Sequence, residues 1–200
     1  LRITIKVLSF WLVSRWLSCV HNAIIFYNMS IANQRLFTPE KAVPDLVFYE
    51  PCIPGDTGNA MRLAAITGCT LHLIEPLGFD MEDKKLKRAG LDYHDLAHYK
   101  IHHNFNDFLE YVNHNNPDSK IYAFTSHTDK MMGDFKYSPA DFLLFGPEPT
   151  GLPEEIMDNP RITSKIRIPM LPGVRSLNLA VSASVAIYDA WSQNGYLGAI

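Results

Sequence analysis

Two hundred residues, 47% hydrophobic and 20% charged, suffice for one domain with a real core and a terminal appendage. A formal net charge of −3 announces no overall basic field, so any nucleic-acid contact must rest on a local patch or an intersubunit groove. Cys19, Cys52 and Cys69 form an odd set without CxxC spacing. They read as free thiols in a reducing compartment, which excludes a disulfide framework and a zinc site.

Residues 1–28, LRITIKVLSFWLVSRWLSCVHNAIIFYN, are apolar and aromatic, with Arg2, Lys6 and Arg15 as their formal charges. Arg15 divides the apolar stretch well below the roughly 18 residues a membrane span needs, and no small-x-small cleavage site is clear. Met29 opens MSIANQRLFTPEKAVPD, as a soluble start would. Residues 1–28 are therefore expected to lie upstream of the true start or to form an extension. Residues 1–44 are expected to stand outside the core, which occupies 45–200.

From Asp45 strand-like and helix-like segments alternate. DLVFYEP (45–51) is a predicted strand. A Pro/Gly loop follows, then a helix through Arg62 with Asp56 or Thr57 as candidate N-cap and Gly68 as its stop. CTLHLIEP (69–76) is a second strand, and MEDKKLKRAG (81–90) a helix with acids first and bases last. FNDFLEYVNH (105–114) is an amphipathic helix, KIYAFTS (120–126) and DFLLFGP (141–147) are strands, and LPEEIMDN (152–159) is a short helix. SKIRIPM (164–170) is the last strand, and residues 177–195 form a closing helix capped by Gly195. The eight histidines, His102-His103 included, show no HExxH pattern and read as surface residues. The alternation argues an α/β fold with a parallel sheet, whose ligands bind beyond the carboxyl ends of the strands.

Loops at that edge carry unusual punctuation. FLLFGPEPTGLP (142–153) leaves a buried strand for two glycines, three prolines and one acid, Glu148, giving a rigid loop with few free N–H groups. Gly55, Gly58, Asn59 and Arg62 follow the first strand, where a helix N-terminus and a forked cation favour an anion. The plainer alternative for Arg62 is a solvated position on an amphipathic helix. GxGN is not GxGxxG, and no acid follows at the ribose-binding spacing, so dinucleotide binding is disfavoured. IPMLPGVRSLNL brings Arg175, Ser176 and Asn178 to the start of the last helix, with Ser176 a natural N-cap. No triad emerges: Ser126-His127 lacks a nucleophile elbow. Lys84, Lys85, Lys87 and Arg88 look more like a binding face than a reaction centre.

FYEPCIPGDTGNAMRLAAITG, LHLIEPLGFDMEDKKLKRAGLDYHDL, LLFGPEPTGLP and IRIPMLPGVRSLNLAVSASVAIYDAW together resemble the SPOUT (trefoil-knotted) RNA methyltransferases. More narrowly they are similar to the TrmL/YibK-type tRNA 2′-O-methyltransferases, which modify the ribose of the wobble cytidine or uridine. The motifs stand in the family's order across residues 46–198. The resemblance implies a deep C-terminal trefoil knot, a cytoplasmic homodimer joined through the knot region and last helix, S-adenosyl-L-methionine as donor, tRNA as acceptor, and no metal or membrane. It implies Phe124, Gly146, Ile168 and Ser176 as positions lining the donor, with Thr125, Met170 and Leu177 nearby. Arg62, Asn178 and Tyr188 are the implied catalytic candidates, with Arg62 matching the arginine of the first motif. Asn59, Glu148 and Arg175, with the basic cluster Lys84, Lys85, Lys87 and Arg88, are implied to shape the site or contact RNA. Arginine keeps its proton, so Arg62 would act on the 2′-hydroxyl electrostatically or through the adjacent phosphate and not as a base.

Two departures stand out. Pro149-Thr150 replaces a small polar residue and an arginine of the usual GPETRGLP, and Ala180-Val181 replaces a serine-asparagine pair. Both weaken the RNA-facing carry-over more than the donor-facing one. They keep open a different target RNA, ribosomal or another tRNA position, and an impaired module that binds without turnover.

Overall fold

The computed structural model describes residues 41–81 and 98–200, all within the second of two compact units, Lys41–Ile200. The helix expected over 81–90 and the basic cluster Lys84, Lys85, Lys87 and Arg88 lie outside the described residues, save Met81.

Six strands form one wholly parallel sheet: β1 (Asp45–Tyr49), β2 (Leu71–Ile74), β3 (Tyr99–His102), β4 (Ile121–Phe124), β5 (Phe142–Phe145) and β6 (Ser164–Ile166). Their order is β3-β2-β1-β5-β4-β6. The helices are α1 (Pro54–Thr67), α2 (Phe105–Asn115), α3 (Glu154–Met157) and α4 (Leu179–Gln193). Every residue of β1, β2, β4 and β5 is buried, as a parallel sheet covered on both faces requires.

Strand alternation sorts this core into two. Leu46, Phe48, Leu71, Leu73, Leu143 and Phe145 point to one face, under α1 and α4; Ala183, Ala186 and Ala190 keep α4 thin enough to lie close. Val47, Tyr49, Ile74, Ile121, Phe142 and Leu144 point to the other face, against Phe105, Phe108 and Val112 of α2 and Ile156 of α3. The result is three layers, helix on sheet on helix.

At the amino ends of β1 and β5 sit two buried acids. Asp45 accepts from Thr70 N at 2.7 Å and from Lys41 Nζ at 2.7 Å, and its carboxyl is held below the usual range by its hydrogen bonds and Lys41 despite burial. Asp141 accepts from Lys120 N at 2.9 Å and Ser138 N at 2.8 Å. Each satisfies backbone donors that the sheet ladder leaves over.

Four sequence expectations are corrected. Strand β3, YKIH, was not foreseen: it is an edge strand with Lys100 and Ile101 exposed, so it has no apolar run. Its pleat turns His102 inward, so this histidine is buried and not superficial: its Nε2 lies 2.8 Å from His72 Nδ1, the rings stacked 5.1 Å apart. Helix α1 begins at Pro54, not after Asp56 or Thr57, because proline at the first helical position forfeits an N–H that has no intrahelical partner. Gly68 does end it, at φ 76° with its N–H on Ala64 O. Helix α4 is capped by Asn178, whose Oδ1 accepts from Val181 N at 3.2 Å, and not by Ser176.

The histidine pair makes stability pH-dependent. Burial holds His72 below its ordinary value, against the pull of Asp45, whose Oδ2 is 3.7 Å from His72 Nε2. Burial, then His72 and Lys100, press His102 down to about 4. Unfolded imidazoles titrate near 6.5, so between about pH 6.5 and 4 the unfolded chain takes up protons that the fold refuses. Full stability is present above that window and is lost as the pH falls through it. Melting temperatures taken from pH 7.5 to 5 should therefore fall steadily below pH 6.5, and a flat profile refutes the neutral pair.

Candidate active site

The carboxyl ends of β4, β5 and β6 open into one cavity of about 710 Å³. Its floor is aromatic: Phe124 closes β4 and Phe145 closes β5, with rings stacked 4.4 Å apart at 14°. Ile168, Met170, Leu177, Leu179 and Leu152 add apolar walls.

The loop after β5 folds back so tightly that Gly146 faces backbone. A Cβ there would lie 2.3 Å from Leu152 N and 2.4 Å from Gly151 C. Gly151 turns at φ 71° and donates its N–H to Pro147 O at 2.9 Å. The loop thus lines the cavity with backbone edges and prolines, groups with little freedom to lose on binding.

Polar groups gather at the rim. Glu148 reaches back to the first loop, accepting from Cys52 N at 2.7 Å and Ile53 N at 3.0 Å. These are unpaired donors at the start of α1, where Ile53 has no capping side chain. The chain enters that loop through Glu50 at φ 47°, a left-handed value that costs a non-glycine residue about 1 kcal/mol. Asp56, 7% exposed in the first turn of α1, accepts from Asn178 Nδ2 at 2.8 Å on each carboxylate oxygen. Arg167 lines the cavity with Nε buried and without a hydrogen-bond partner, its Nη1 at 3.5 Å from Thr128 O. Arg175, Ser176, Thr125, Ser126 and His127 complete the polar lining.

A flat apolar floor, stiff backbone edges, two acids and two guanidinium groups suit a ligand that pairs a planar ring with a zwitterionic arm. The lining has no nucleophile elbow. Among the described residues no three His, Cys, Asp or Glu side chains group as a metal site would require.

The sequence model of the SpoU rRNA Methylase family matches residues 45–188. The chain belongs to that family.

Among its relatives, a tRNA (cytidine(34)-2′-O)-methyltransferase of Escherichia coli (strain K12) is 46% identical over 156 residues, spanning 78% of this chain and 97% of the relative. The enzyme of the same name from Yersinia pestis is 48% identical over 158 residues, with the same coverage. A solved structure described as giving structural insights into the 2-OH methylation of C/U34 on tRNA superposes with a TM-score of 0.71 at 43% identity, covering 76% of this chain and 96% of that one. The methyltransferase AviRb of Streptomyces viridochromogenes, solved in complex with the cofactor AdoMet, shares the fold at a TM-score of 0.69 and 22% identity, covering 80% of this chain and 63% of that one.

Within this family member the fold gathers some expected site residues and separates others. Phe124, Thr125, Gly146, Ile168, Met170, Ser176 and Leu177 all line the one cavity, as do Glu148, Arg175 and Asn178. Asn59 and Arg62 lie on the exposed side of α1, and Tyr188 on α4 against Trp191, all outside that lining. Lys84, Lys85, Lys87 and Arg88 are outside the described residues. Sequence reasoning missed Arg167, and read Asp56 merely as a cap. The available signal for Asp56 was a lone acid between two loop glycines beside the motif arginine.

Gly146→Ala should cost about 1–3 kcal/mol, a fall of several degrees in melting temperature, because the added carbon meets backbone that cannot swing away. Gly133→Ala, with nothing within 4 Å of the new carbon, is the control and should change stability by under about 0.5 kcal/mol. Equal effects would refute the tight-loop account.

Proposed function

We propose that this chain transfers a methyl group from S-adenosyl-L-methionine to the ribose 2′-hydroxyl of the wobble pyrimidine, position 34, of tRNA. The observation that carries this reading is near-half identity along 97% of relatives named for that reaction. The cavity fits the donor on its own terms: a stacked aromatic floor, a glycine whose Cβ would strike backbone, and acids facing a zwitterion. When bound, that donor supplies an electrophilic methyl group on a positively charged sulfur.

In this reading Phe124, Thr125, Gly146, Ile168, Met170, Ser176 and Leu177 hold the donor, while Glu148 and Asn178 fix the loops around it. Asn59 and Arg62, three residues apart on α1, share an exposed face and would meet the RNA strand. Arg62 holds the ribose and its phosphate and eases loss of the hydroxyl proton by its fixed charge, without accepting that proton itself. Arg175 at the cavity rim adds a second cation for the RNA, with Lys84, Lys85, Lys87 and Arg88 as further contacts.

An exposed stripe on α4 supports a homodimer. Val181, Val185 and Tyr188, spaced four and three apart, leave an apolar stripe exposed opposite the face that packs on α1. Such a stripe is normally covered, and a second copy would cover it and bring Tyr188 near the partner's RNA. The knot belongs to the same reading. Strand β6 lies at the sheet edge beyond β4, whereas α4 packs on α1 and β5, so residues 167–178 return across the carboxyl ends of the strands. That return supports a threaded C-terminus. No helix among the described residues is long and apolar enough to cross a membrane; the proposed compartment is the cytoplasm, where tRNA is modified.

The test is transfer of labelled methyl from S-adenosyl-L-methionine to tRNA, followed by mapping of the label. Label on the ribose at position 34 is expected. Label confined to ribosomal RNA, or donor binding without transfer, would refute the proposed reaction. Arg62→Ala should lower turnover by about 10²-fold or more while leaving donor affinity unchanged; near-full turnover rejects its role.

A further inference from the structure

The two acids lining the cavity are not equivalent. Each oxygen of Glu148 takes a separate backbone donor, Cys52 N at 2.7 Å and Ile53 N at 3.0 Å, so its charge is committed to the first turn of α1. Asp56 is the more buried of the two, yet both of its oxygens share a single amide, Asn178 Nδ2, at 2.8 Å each. A carboxylate offers about four lone-pair sites, so most of its accepting capacity is unspent. Among the described residues no ammonium or guanidinium group lies within ion-pair distance of it, Arg167 and Arg175 on the same cavity included.

A buried carboxylate without a cation is costly unless something cationic visits it. The helix N-terminus of α1 supports the negative charge but supplies no mobile partner. Arg167, on the same cavity, would answer the carboxylate of a zwitterionic ligand. This leaves an excess anion at Asp56 to answer a cation.

Building on the function proposed above, we infer that Asp56 is a specificity-determining residue that favours the cationic sulfonium donor over the neutral thioether left after methyl transfer. The chemistry gives the acid a purpose that a structural hydrogen bond does not. The donor carries a positive sulfur; transfer moves the methyl group to the ribose oxygen, the sulfur keeps the bonding electron pair and becomes neutral, and the hydroxyl proton leaves to solvent. The attraction to Asp56 disappears with that charge, so the product is held less tightly than the donor and does not clog the site. The α-ammonium is present in both ligands and cannot discriminate between them.

The decisive measurement is titration calorimetry with three probes: S-adenosyl-L-methionine, the neutral product S-adenosyl-L-homocysteine, and sinefungin, in which a protonated amine replaces the methylated sulfur. Asp56→Asn should weaken the two cationic probes by on the order of tenfold and leave the neutral one within about twofold. Asp56→Ser, whose hydroxyl still accepts from Asn178, should reproduce that split and covers a failure of the asparagine variant to fold. Equal loss for all three probes would mean that Asp56 only positions Asn178 or meets the ammonium, and no loss would mean it meets neither; both overturn the inference. If the unaltered protein binds none of the three, the donor-site reading itself falls, an outcome separate from the variants' behaviour.

Discussion

The carboxylate of Glu148 is the clasp on which the site depends. It joins the loop after β5 to the loop after β1 across 96 residues of sequence, by hydrogen bonds to Cys52 N and Ile53 N. Charge-assisted bonds of this kind contribute about 1.5 kcal/mol or more each. Their larger consequence is geometric. Helix α1 starts with Ile53 and Pro54, neither of which can cap it, and so must borrow an acceptor from a distant strand exit. The borrowed acceptor then seats the GPEPTGLP loop, whose collapse onto Gly146 fixes the cavity wall.

The sheet divides its duties between its ends. At the amino ends Asp45 and Asp141 consume stray backbone donors, while the His72–His102 pair, outside the cavity lining, fills the space between β2, β3 and α2 with a buried polar contact. The two acids spend their charge on partners within the fold. At the carboxyl ends the opposite holds: Asp56, Arg167 and Arg175 retain capacity and face open volume. Unspent polarity marks the reactive edge, as the geometry of parallel sheets predicts.

The sequence made much of this legible. DLVFY, IYAF and FLLF are apolar runs that only a sheet buried on both faces accommodates, and the loops after them line the cavity, those after DLVFY and FLLF marked by proline and glycine. Other features escaped because nothing local encodes them. β3 presents exposed Lys100 and Ile101 at an edge, so its pattern resembles a loop. Ser176 has as good a capping side chain as Asn178, but the cap goes to the residue that also reaches Asp56, 122 positions away. Local propensity could rank the two serviceable caps; only the tertiary partner chose between them.

In the function proposed above, helix α1 is one element that serves two substrates. Its first turn carries Asp56 inward to the cavity, where Asn178 ties it to the start of α4. Arg62 follows six residues later, which at 3.6 residues per turn is about 120° round the axis, and it stands exposed beside Asn59. On the proposed roles, donor and acceptor sides are separated by less than two turns of a single helix. On those roles, a spacer of that length would fix the distance between a methyl-bearing sulfur and a ribose oxygen. A fixed distance of that kind suits the stiff loop after β5: proximity contributes to rate only if the elements holding the partners do not move apart. The replacement of the expected loop arginine by Pro149-Thr150 is consistent with this division. On the proposed roles it stiffens the donor side further while leaving the RNA side to α1, whose charge is carried by a helix and not by a loop.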